Sequence, residues 1–260
     1  MAKRERGDIY FFYRPRVGKE EPHSSDDVQR MYIVLRPDSS GETSNQVEQQ
    51  EKQDEVNIEK SMLLRLIVMG KKSLPNPAKR SKPYWGFVEL VTTKIQDIKD
   101  ALKGARALGE GVYRILKHHS GEGDKPRKMH THLIYKLEFP SEGAESRPQE
   151  ELNVEREGSF LIQIKNPTQG LFKRKRKRKR KKKAIFPAHV QRRFGKLRYH
   201  AADPPDFLNY QGCEFLLISA SDDIRKELGL EIEEDASCSD LVNTFGETAS
   251  SNALYRGIWV

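Results

Sequence analysis

Cysteine and long hydrophobic runs are what this 260-residue sequence has least of. Its two cysteines, Cys213 and Cys238, cannot form a disulfide framework, so we expect a reducing, intracellular compartment. No stretch approaches the roughly 20 apolar residues of a membrane-spanning helix, and the charged N-terminus leads into no signal-peptide core. The sequence therefore predicts a protein that is not secreted, has no transmembrane segment and has no membrane partner.

Several common catalytic motifs are also missing. The sequence has no phosphate-binding glycine loop, zinc-finger spacing or lipase-type serine motif. Cys213 with His200 as its base would form a nucleophile pair, but a lone cysteine in an apolar strand more often belongs to the core. The carboxylates of Asp203 and Asp206 flank two prolines, which is typical of a rigid turn. We therefore find no anchor for an enzyme and expect no cofactor.

Positive charge is plentiful, but it has one local origin. The chain holds 47 Lys and Arg residues against 38 Asp and Glu, a net charge of +9. Eleven of the basic residues are consecutive, and without them 36 basic residues face 38 acidic ones, a net charge of -2. We call this run the basic strip; it comprises Lys173, Arg174, Lys175, Arg176, Lys177, Arg178, Lys179, Arg180, Lys181, Lys182 and Lys183. The remainder of the chain is slightly acidic.

The basic strip has no apolar position at any period, so we expect it to stay solvated and extended by self-repulsion. Such a run suits two acidic partners, a nuclear import receptor and the phosphate backbone of DNA or RNA. We therefore expect a nuclear or nucleo-cytoplasmic location. Two alternatives stay open. Either the Lys-Arg alternation is a low-complexity expansion without a role, or the acidic segments fold back and neutralise it.

Strand-like segments dominate the first two thirds of the chain. Seven runs rich in β-branched and aromatic residues are bounded by Gly, Pro, Asp and Ser; they are 8–14, 28–35, 62–69, 85–91, 111–117, 131–139 and 159–165. Between two of them, residues 93–104 have apolar positions at helical spacing and a terminal Gly, which predicts a short amphipathic helix. We expect an α+β fold with a β-rich body, a mostly antiparallel sheet of about seven strands and a few short helices.

The chain beyond the basic strip predicts a smaller C-terminal α/β part. Helices are expected at 187–194 and 221–229, and strands at 196–201 and 214–219. The predicted organisation has four parts: a β-rich body over 1–170 with disordered acidic loops near 38–60 and 140–158, a basic linker over 171–184, the α/β part over 185–230 packed on the body, and an acidic tail with a short apolar C-terminus over 231–260.

Two local patterns suggest ligand chemistry. His130 and His132 share one face of a predicted strand, which makes them weak candidates for a metal pair. A solvated strand face is the favoured alternative, and we expect no metal. In residues 8–16, aromatic side chains stand beside Arg14 and Arg16, as on surfaces that stack on single-stranded nucleic acid. Because this strand is apolar on both faces, a buried central strand is the favoured interpretation.

Four motifs together resemble a family of uncharacterised plant and bacterial proteins. They are GDIYFFYRPRV at 7–17, GEGVY at 109–113, HTHL at 130–133 and DPPDFLNY at 203–210. The resemblance covers nearly the whole chain and implies a shared fold, but no activity is known for the family, so it carries over no functional residue. Relatives have a longer segment between Lys103 and Ala107, and the basic strip is an addition to their pattern. This favours a lineage-specific role, or none, for the strip.

Three functions are compatible with these observations. The leading hypothesis is a non-enzymatic nuclear protein whose basic strip acts as an import signal or as a sequence-independent contact to nucleic acid or another polyanion. The second is an enzyme or small-ligand-binding protein with its site in the β-rich body and an incidental strip. The third is a scaffold for protein–protein interaction that uses the acidic loops.

Overall fold

The computed structural model describes residues 2–19, 24–38, 63–79, 82–120, 128–140, 147–169 and 183–221. The strands are β1 Ala2–Pro15, β2 Val28–Pro37, β3 Leu64–Met69, β4 Tyr84–Thr92, β5 Arg106–Ser120, β6 Lys128–Phe139, β7 Glu157–Lys165, β8 Tyr199–Ala201 and β9 Glu214–Ser221. The α-helices are α1 Ile95–Leu102, α2 Arg147–Glu151 and α3 Ala188–Gln191, and single 3-10 turns lie at Ser25–Asp27, Arg192–Phe194 and Pro205–Asn209.

Eight of these strands close into an antiparallel barrel. Their order around the barrel is β6-β5-β1-β2-β3-β4-β9-β7, and pairing of β7 with β6 completes the ring. The short strand β8 continues the sheet beside the C-terminal end of β7, where residues 163–165 pair with residues 199–201. Closure pairs the two edges that an open sheet would expose.

Alternation along each strand fills the barrel interior. Ile9, Phe11 and Tyr13 of β1 belong to one buried cluster, whereas Tyr10 and Phe12 belong to a second cluster on the outer face. All eight barrel strands contribute to the first cluster. An eight-stranded barrel is just wide enough for side chains to fill, so this interior is a packed core.

Helix α1 covers part of the outer face of the barrel. Ile98 and Leu102 lie four residues apart on one side of the helix and are buried against Tyr10 and Phe12. The helix ends before Gly104, whose φ of 75° is a backbone conformation that glycine adopts without a steric penalty. The amphipathic helix predicted from the spacing of apolar residues is confirmed.

The connection between β7 and β9 closes one end of the barrel, and we call its described residues, 166–169 and 183–213, the cap. Phe186, Phe194 and Phe207 of the cap join the interior cluster, with ring centroids 5.2 to 5.7 Å apart. Lys117 Nζ of β5 lies 3.1 Å from Asp203 Oδ2 of the cap. The segment expected to form a smaller α/β part thus supplies both the cap and the barrel strand β9.

The predicted sheet of about seven strands needs correction. The described residues form nine strands, which coincide with the nine strand-like segments of the sequence, and eight of these strands form the barrel. Strand β9 lies between β4 and β7 rather than in a separate C-terminal unit. The apolar period within a segment indicates a strand, but it does not say which distant segment will pair with it.

Part of the acidic segment 140–158 is folded, although we expected a loop there. It contains α2, and the side chains of Leu152 and Val154 beyond the helix are buried in the interior cluster. The remainder of the acidic loop beyond Asp38, the helix predicted after Ser221 and the acidic tail lie outside the described residues. No helix in the described ranges is long and apolar enough to cross a membrane.

Candidate functional site

The most unusual feature of the charge distribution is a long segment without any acid. Between Gly158 and Ala202 the sequence has sixteen Lys and Arg residues and no Asp or Glu. We call residues 158–202 the acid-free segment. It includes the basic strip, but it also runs through β7, α3 and β8. The capped end of the barrel therefore carries basic residues of this segment in addition to those of the basic strip.

The cap displays its basic side chains to solvent. Lys183, Arg192, Arg193, Lys196 and Arg198 are all exposed. The local fold explains this exposure, because Val190 and Phe194 turn the apolar side of the α3 segment inward. Gly195, with a φ of 50°, then reverses the chain toward β8. The helix expected at 187–194 is thus present as α3 followed by a 3-10 turn.

The described chain before and after residues 170–182 is fixed to neighbouring points of the cap, which we call the attachment points of the basic strip. Residues 173–182 lie outside the described residues, and Lys183 is the member of the strip that the structure describes. Lys183 Nζ donates a hydrogen bond to the Pro167 carbonyl oxygen at 3.3 Å, and Gln169 Nε2 donates to the Lys196 carbonyl oxygen at 2.7 Å. The contacts of Gln169 and Lys183 therefore hold the described chain on either side of residues 170–182 beside the exposed basic residues of the cap.

Buried Asn166 holds these attachment points in place. Its Nδ2 donates to the Leu197 carbonyl oxygen at 3.0 Å. Its Oδ1 accepts hydrogen bonds from Thr168 Oγ1 at 2.7 Å and from Gln191 Nε2 at 3.0 Å. One side chain thus joins the end of β7, α3 and the chain leading to β8. Thr168 and Leu197 are exposed and Gln191 is half-buried, so removing the side chain would loosen these attachment points while water replaces part of the lost hydrogen bonding.

Aromatic and basic side chains lie together on the outer face of the barrel next to the cap. The ring centroids of Trp85 and Tyr199 are 6.2 Å apart. Lys165 Nζ lies 5.1 Å from the Trp85 ring centroid, and Arg198 Cζ lies 5.4 Å from that of Tyr199. Lys165 also pairs with Glu214. We call Trp85, Tyr199, Lys165 and Arg198 the aromatic-basic patch.

A second polar cluster lies inside the barrel. Arg65 is 1% exposed and extends from β3 toward the cap. Its Nη1 and Nη2 donate to the two Glu5 carboxylate oxygens at 2.7 and 2.9 Å, and its Nε donates to Asn209 Oδ1 at 2.7 Å. Tyr113 donates its hydroxyl to Glu5 at 2.9 Å. All three guanidinium nitrogens of Arg65 are therefore bonded to protein groups, which makes this cluster a structural support rather than an open ligand site.

Burial also fixes the protonation states of these interior groups. It raises the pKa of Tyr113 well above its ordinary value of 10.0, and the Glu5 carboxylate acts in the same direction. For Arg65, burial is the largest single influence and lowers the pKa, but the attraction and hydrogen bonds of Glu5, together with Tyr113 and Asp206, outweigh burial and leave the pKa above its ordinary value. Tyr113 is thus neutral and Arg65 charged over the whole physiological range.

The proposed cysteine nucleophile is part of the core. Cys213 is fully buried among apolar side chains, and burial raises the pKa of its thiol. A reactive cysteine needs an accessible thiolate, which this environment disfavours. His200 packs against the rings of Phe194 and Phe207 within the cap. The interpretation of Cys213 as a core residue is confirmed.

The histidine pair lies on the outer side of β6, opposite in direction to the interior residues Leu133 and Tyr135. The expectation of a solvated face is wrong at His132, which is buried and has its Nδ1 3.0 Å from Ser159 Oγ. Pairing of β6 with β7 places that serine beside it, which the sequence of β6 does not reveal. Within the described ranges, no three His, Cys, Asp or Glu side chains come together to hold a metal ion.

The N-terminal aromatic residues are not available for stacking. Tyr10, Phe11 and Phe12 are fully buried, so β1 is the buried central strand that its two apolar faces predict. The exposed aromatic ring instead belongs to Trp85, which is 37% exposed. The sequence did not reveal the aromatic-basic patch because its members come from β4, from β7, and from β8 with the residue before it. The absence of acids from residues 158–202 was the available signal for the basic part of the site.

Comparison with known proteins gives no further assignment. No protein-family model matches the chain, and no curated protein or solved structure matches it at a significant level.

Proposed function

We propose that this protein is a non-enzymatic binding protein that holds a polyanion, such as the phosphate backbone of nucleic acid, against its capped end. The observation that carries the proposal is the acid-free segment, which has sixteen basic residues, no acids and exposed basic side chains on its described cap residues. Lys and Arg bind phosphates by displacing condensed counterions, without any requirement for base sequence.

The cap and the strip have complementary roles in this proposal. The strip provides high charge density, while the cap provides basic side chains on a folded support. Contacts from flexible lysines alone cost side-chain entropy, so the fixed cap residues strengthen binding and limit where the polyanion lies. The slightly acidic remainder of the chain repels the polyanion and confines it to this end.

A matched pair of triple variants tests the role of position. Arg192→Gln, Arg193→Gln and Lys196→Gln remove three charges from the cap, whereas Lys79→Gln, Lys94→Gln and Lys103→Gln remove three exposed charges elsewhere. We expect the cap variant to bind a short DNA duplex roughly 10-fold more weakly or worse at low salt, since each phosphate contact contributes to affinity. The control variant should keep the original affinity. Equal losses in both variants would mean that net charge alone governs binding.

We propose in addition that the basic strip directs the protein to the nucleus. Clusters of Lys and Arg are the feature that import receptors recognise, and the described barrel strands all lie outside residues 173–183, so receptor binding need not open the barrel. Replacing residues 173–183 by Gly-Ser repeats should abolish nuclear accumulation of a fluorescent fusion. An unchanged distribution would refute the targeting role while leaving polyanion binding to be judged by the triple variants.

A further inference from the structure

The aromatic-basic patch has the composition of a surface for unpaired bases. Trp85 lies on the outer side of β4, exposed to 37%, and Tyr199 lies beside it on β8, with the ring planes inclined by 46°. Stacking of a base on an exposed aromatic ring is favourable for any base, because every base has a π-face. Duplex bases are already stacked on each other, so such rings favour single strands.

Each ring of the patch also has a cation next to it. Lys165 lies against Trp85 and Arg198 against Tyr199, at 5.1 and 5.4 Å from the ring centroids. The pairing of Lys165 with Glu214 reduces the net charge on the Trp85 side. Arg198 lies within the acid-free segment, so the residues next to it in the sequence include no Asp or Glu. Rings for bases and cations for phosphates are the two components of sites that bind single strands.

The patch adjoins the attachment points of the basic strip. Lys165 is the backbone partner of Tyr199, and Pro167, which accepts the hydrogen bond from Lys183, follows Lys165 by two residues. Along an extended chain, Pro167 lies roughly 7 Å from Lys165. This distance is similar to the 6.2 Å between the ring centroids of Trp85 and Tyr199. A nucleic acid strand held by the described cap residues therefore has its bases within reach of Trp85 and Tyr199.

We infer that the polyanion is single-stranded nucleic acid and that Trp85 and Tyr199 stack on two of its bases while Arg198 and the cap contact its phosphates. This inference rests on the proposed function and narrows its ligand. It requires no chemistry on the strand and no recognition of particular bases, since stacking tolerates all four.

Binding of two probes that differ only in their bases tests the inference. We would measure fluorescence anisotropy with labelled oligo(dT) of about 12 nucleotides, a length within the range that single-strand binding folds cover, and with an abasic oligomer of the same length. The intact protein should prefer oligo(dT). Trp85→Ala and Tyr199→Ala should each weaken oligo(dT) binding by roughly 10-fold, the value expected for loss of one stacked base, with no change for the abasic oligomer.

Variants that keep an aromatic ring provide the control. Trp85→Phe and Tyr199→Phe should retain most of the preference for oligo(dT), and thermal midpoints would show that each variant is folded. Equal affinity of the intact protein for both probes would overturn the inference but leave polyanion binding standing. Failure to bind either probe or duplex DNA at low salt would overturn both. An Ala variant that loses affinity for both probes equally would show that the rings do not contact bases.

Tryptophan fluorescence gives a readout that does not depend on destabilising substitutions. The chain has two tryptophans, Trp85 and Trp259, so a Trp259→Phe variant reports on Trp85 alone. Stacking of a base should quench its emission as oligo(dT) is added, and the abasic oligomer should leave it unchanged. Unquenched emission at saturating oligo(dT) would overturn the assignment of Trp85.

Discussion

Arg65 shows how one buried charge can connect distant parts of this protein. Its guanidinium joins β3 to Glu5 of β1 and to Asn209 of the cap, so three segments far apart in sequence meet at one side chain. A buried charge is tolerated when its partners satisfy every donor, and it becomes costly when one partner is removed. The contacts of Arg65 with Glu5 and with Asn209 therefore hold the cap in place on the barrel.

Replacing Arg65 should therefore be severe. We expect Arg65→Met to lower the free energy of unfolding by about 3–5 kcal/mol, because it leaves the Glu5 carboxylate without its cation. Arg30→Met is the matched control: the Arg30–Glu89 pair is at 3.6 Å and about half exposed, so its loss should cost under about 1 kcal/mol. Urea unfolding measures both. Similar losses in the two variants would contradict a supporting role for Arg65.

Alkaline pH should weaken the fold through the buried phenols. Burial raises the pKa of Tyr113 and Tyr135 above the ordinary value of 10.0 and that of Cys213 above 9.0. In the unfolded chain these groups release their protons at the ordinary values, whereas in the folded state they retain them. Their stabilising contribution is complete below pH 9 to 10 and declines as the pH rises further, by about 1.4 kcal/mol per pH unit for each group.

Urea unfolding at several pH values checks this direction. The free energy of unfolding should fall steeply above about pH 10, and Tyr135→Phe should make the fall less steep, since it removes one titrating group. A free energy that stays constant up to about pH 11 would show that the buried phenols do not govern alkaline stability.

At the scale of elements, the cap depends on a few polar contacts as well as on its phenylalanines. Asn166 alone joins the end of β7 to Thr168, Gln191 and Leu197. These contacts position the two attachment points of the basic strip. The order of the cap should thus be sensitive to changes at this residue.

Asn166→Ala should loosen the cap without unfolding the barrel. Loss of its hydrogen bonds should cost about 0.5–1.5 kcal/mol, because its partners are exposed or half-buried and water can replace the lost bonds, and amide hydrogen exchange should speed up in the described cap residues 183–200. Asn76→Ala is a suitable control, because Asn76 contacts Asn153 rather than the cap. Unchanged exchange in the cap of the Asn166 variant would refute this role.

The elements were also the level at which sequence analysis worked best. Runs of β-branched and aromatic residues bounded by turn residues located the nine described strands, and the spacing of Ile98 and Leu102 located α1. These signals are local, because the composition and spacing of apolar residues in a strand or helix can be read within that segment alone. The partnership of Glu5 with Arg65, 60 residues away, depends on which strands become neighbours, and no local period encodes that choice.

At the scale of the whole molecule, barrel closure decides which residues meet. It places β9 between β4 and β7, which brings Trp85 near Lys165 and Tyr199. The aromatic-basic patch could not be predicted from sequence for this reason, whereas the basic strip could, because its charges are consecutive. The absence of acids from residues 158–202 links the two in sequence, since that segment contains the basic strip together with Lys165, Arg198 and Tyr199 of the patch.

The same scale explains how a protein with a slightly acidic remainder can hold a polyanion. Charges separated by more than about 10 Å are screened at ordinary salt, so the local density of Lys and Arg matters more than the total. Sixteen basic residues of the chain's 47 fall in the acid-free segment, and none of its 38 acids does. Binding should be confined to this end and strongly dependent on salt.

The salt dependence of nucleic acid binding shows whether the acid-free segment binds a polyanion through its phosphates. If about six phosphates are neutralised, the logarithm of the association constant should fall with the logarithm of salt concentration at a slope near -5 for duplex DNA. Replacing residues 173–183 by Gly-Ser repeats should flatten that slope and weaken binding at low salt. A slope near zero for the intact protein, or the same slope with and without the basic strip, would contradict the account.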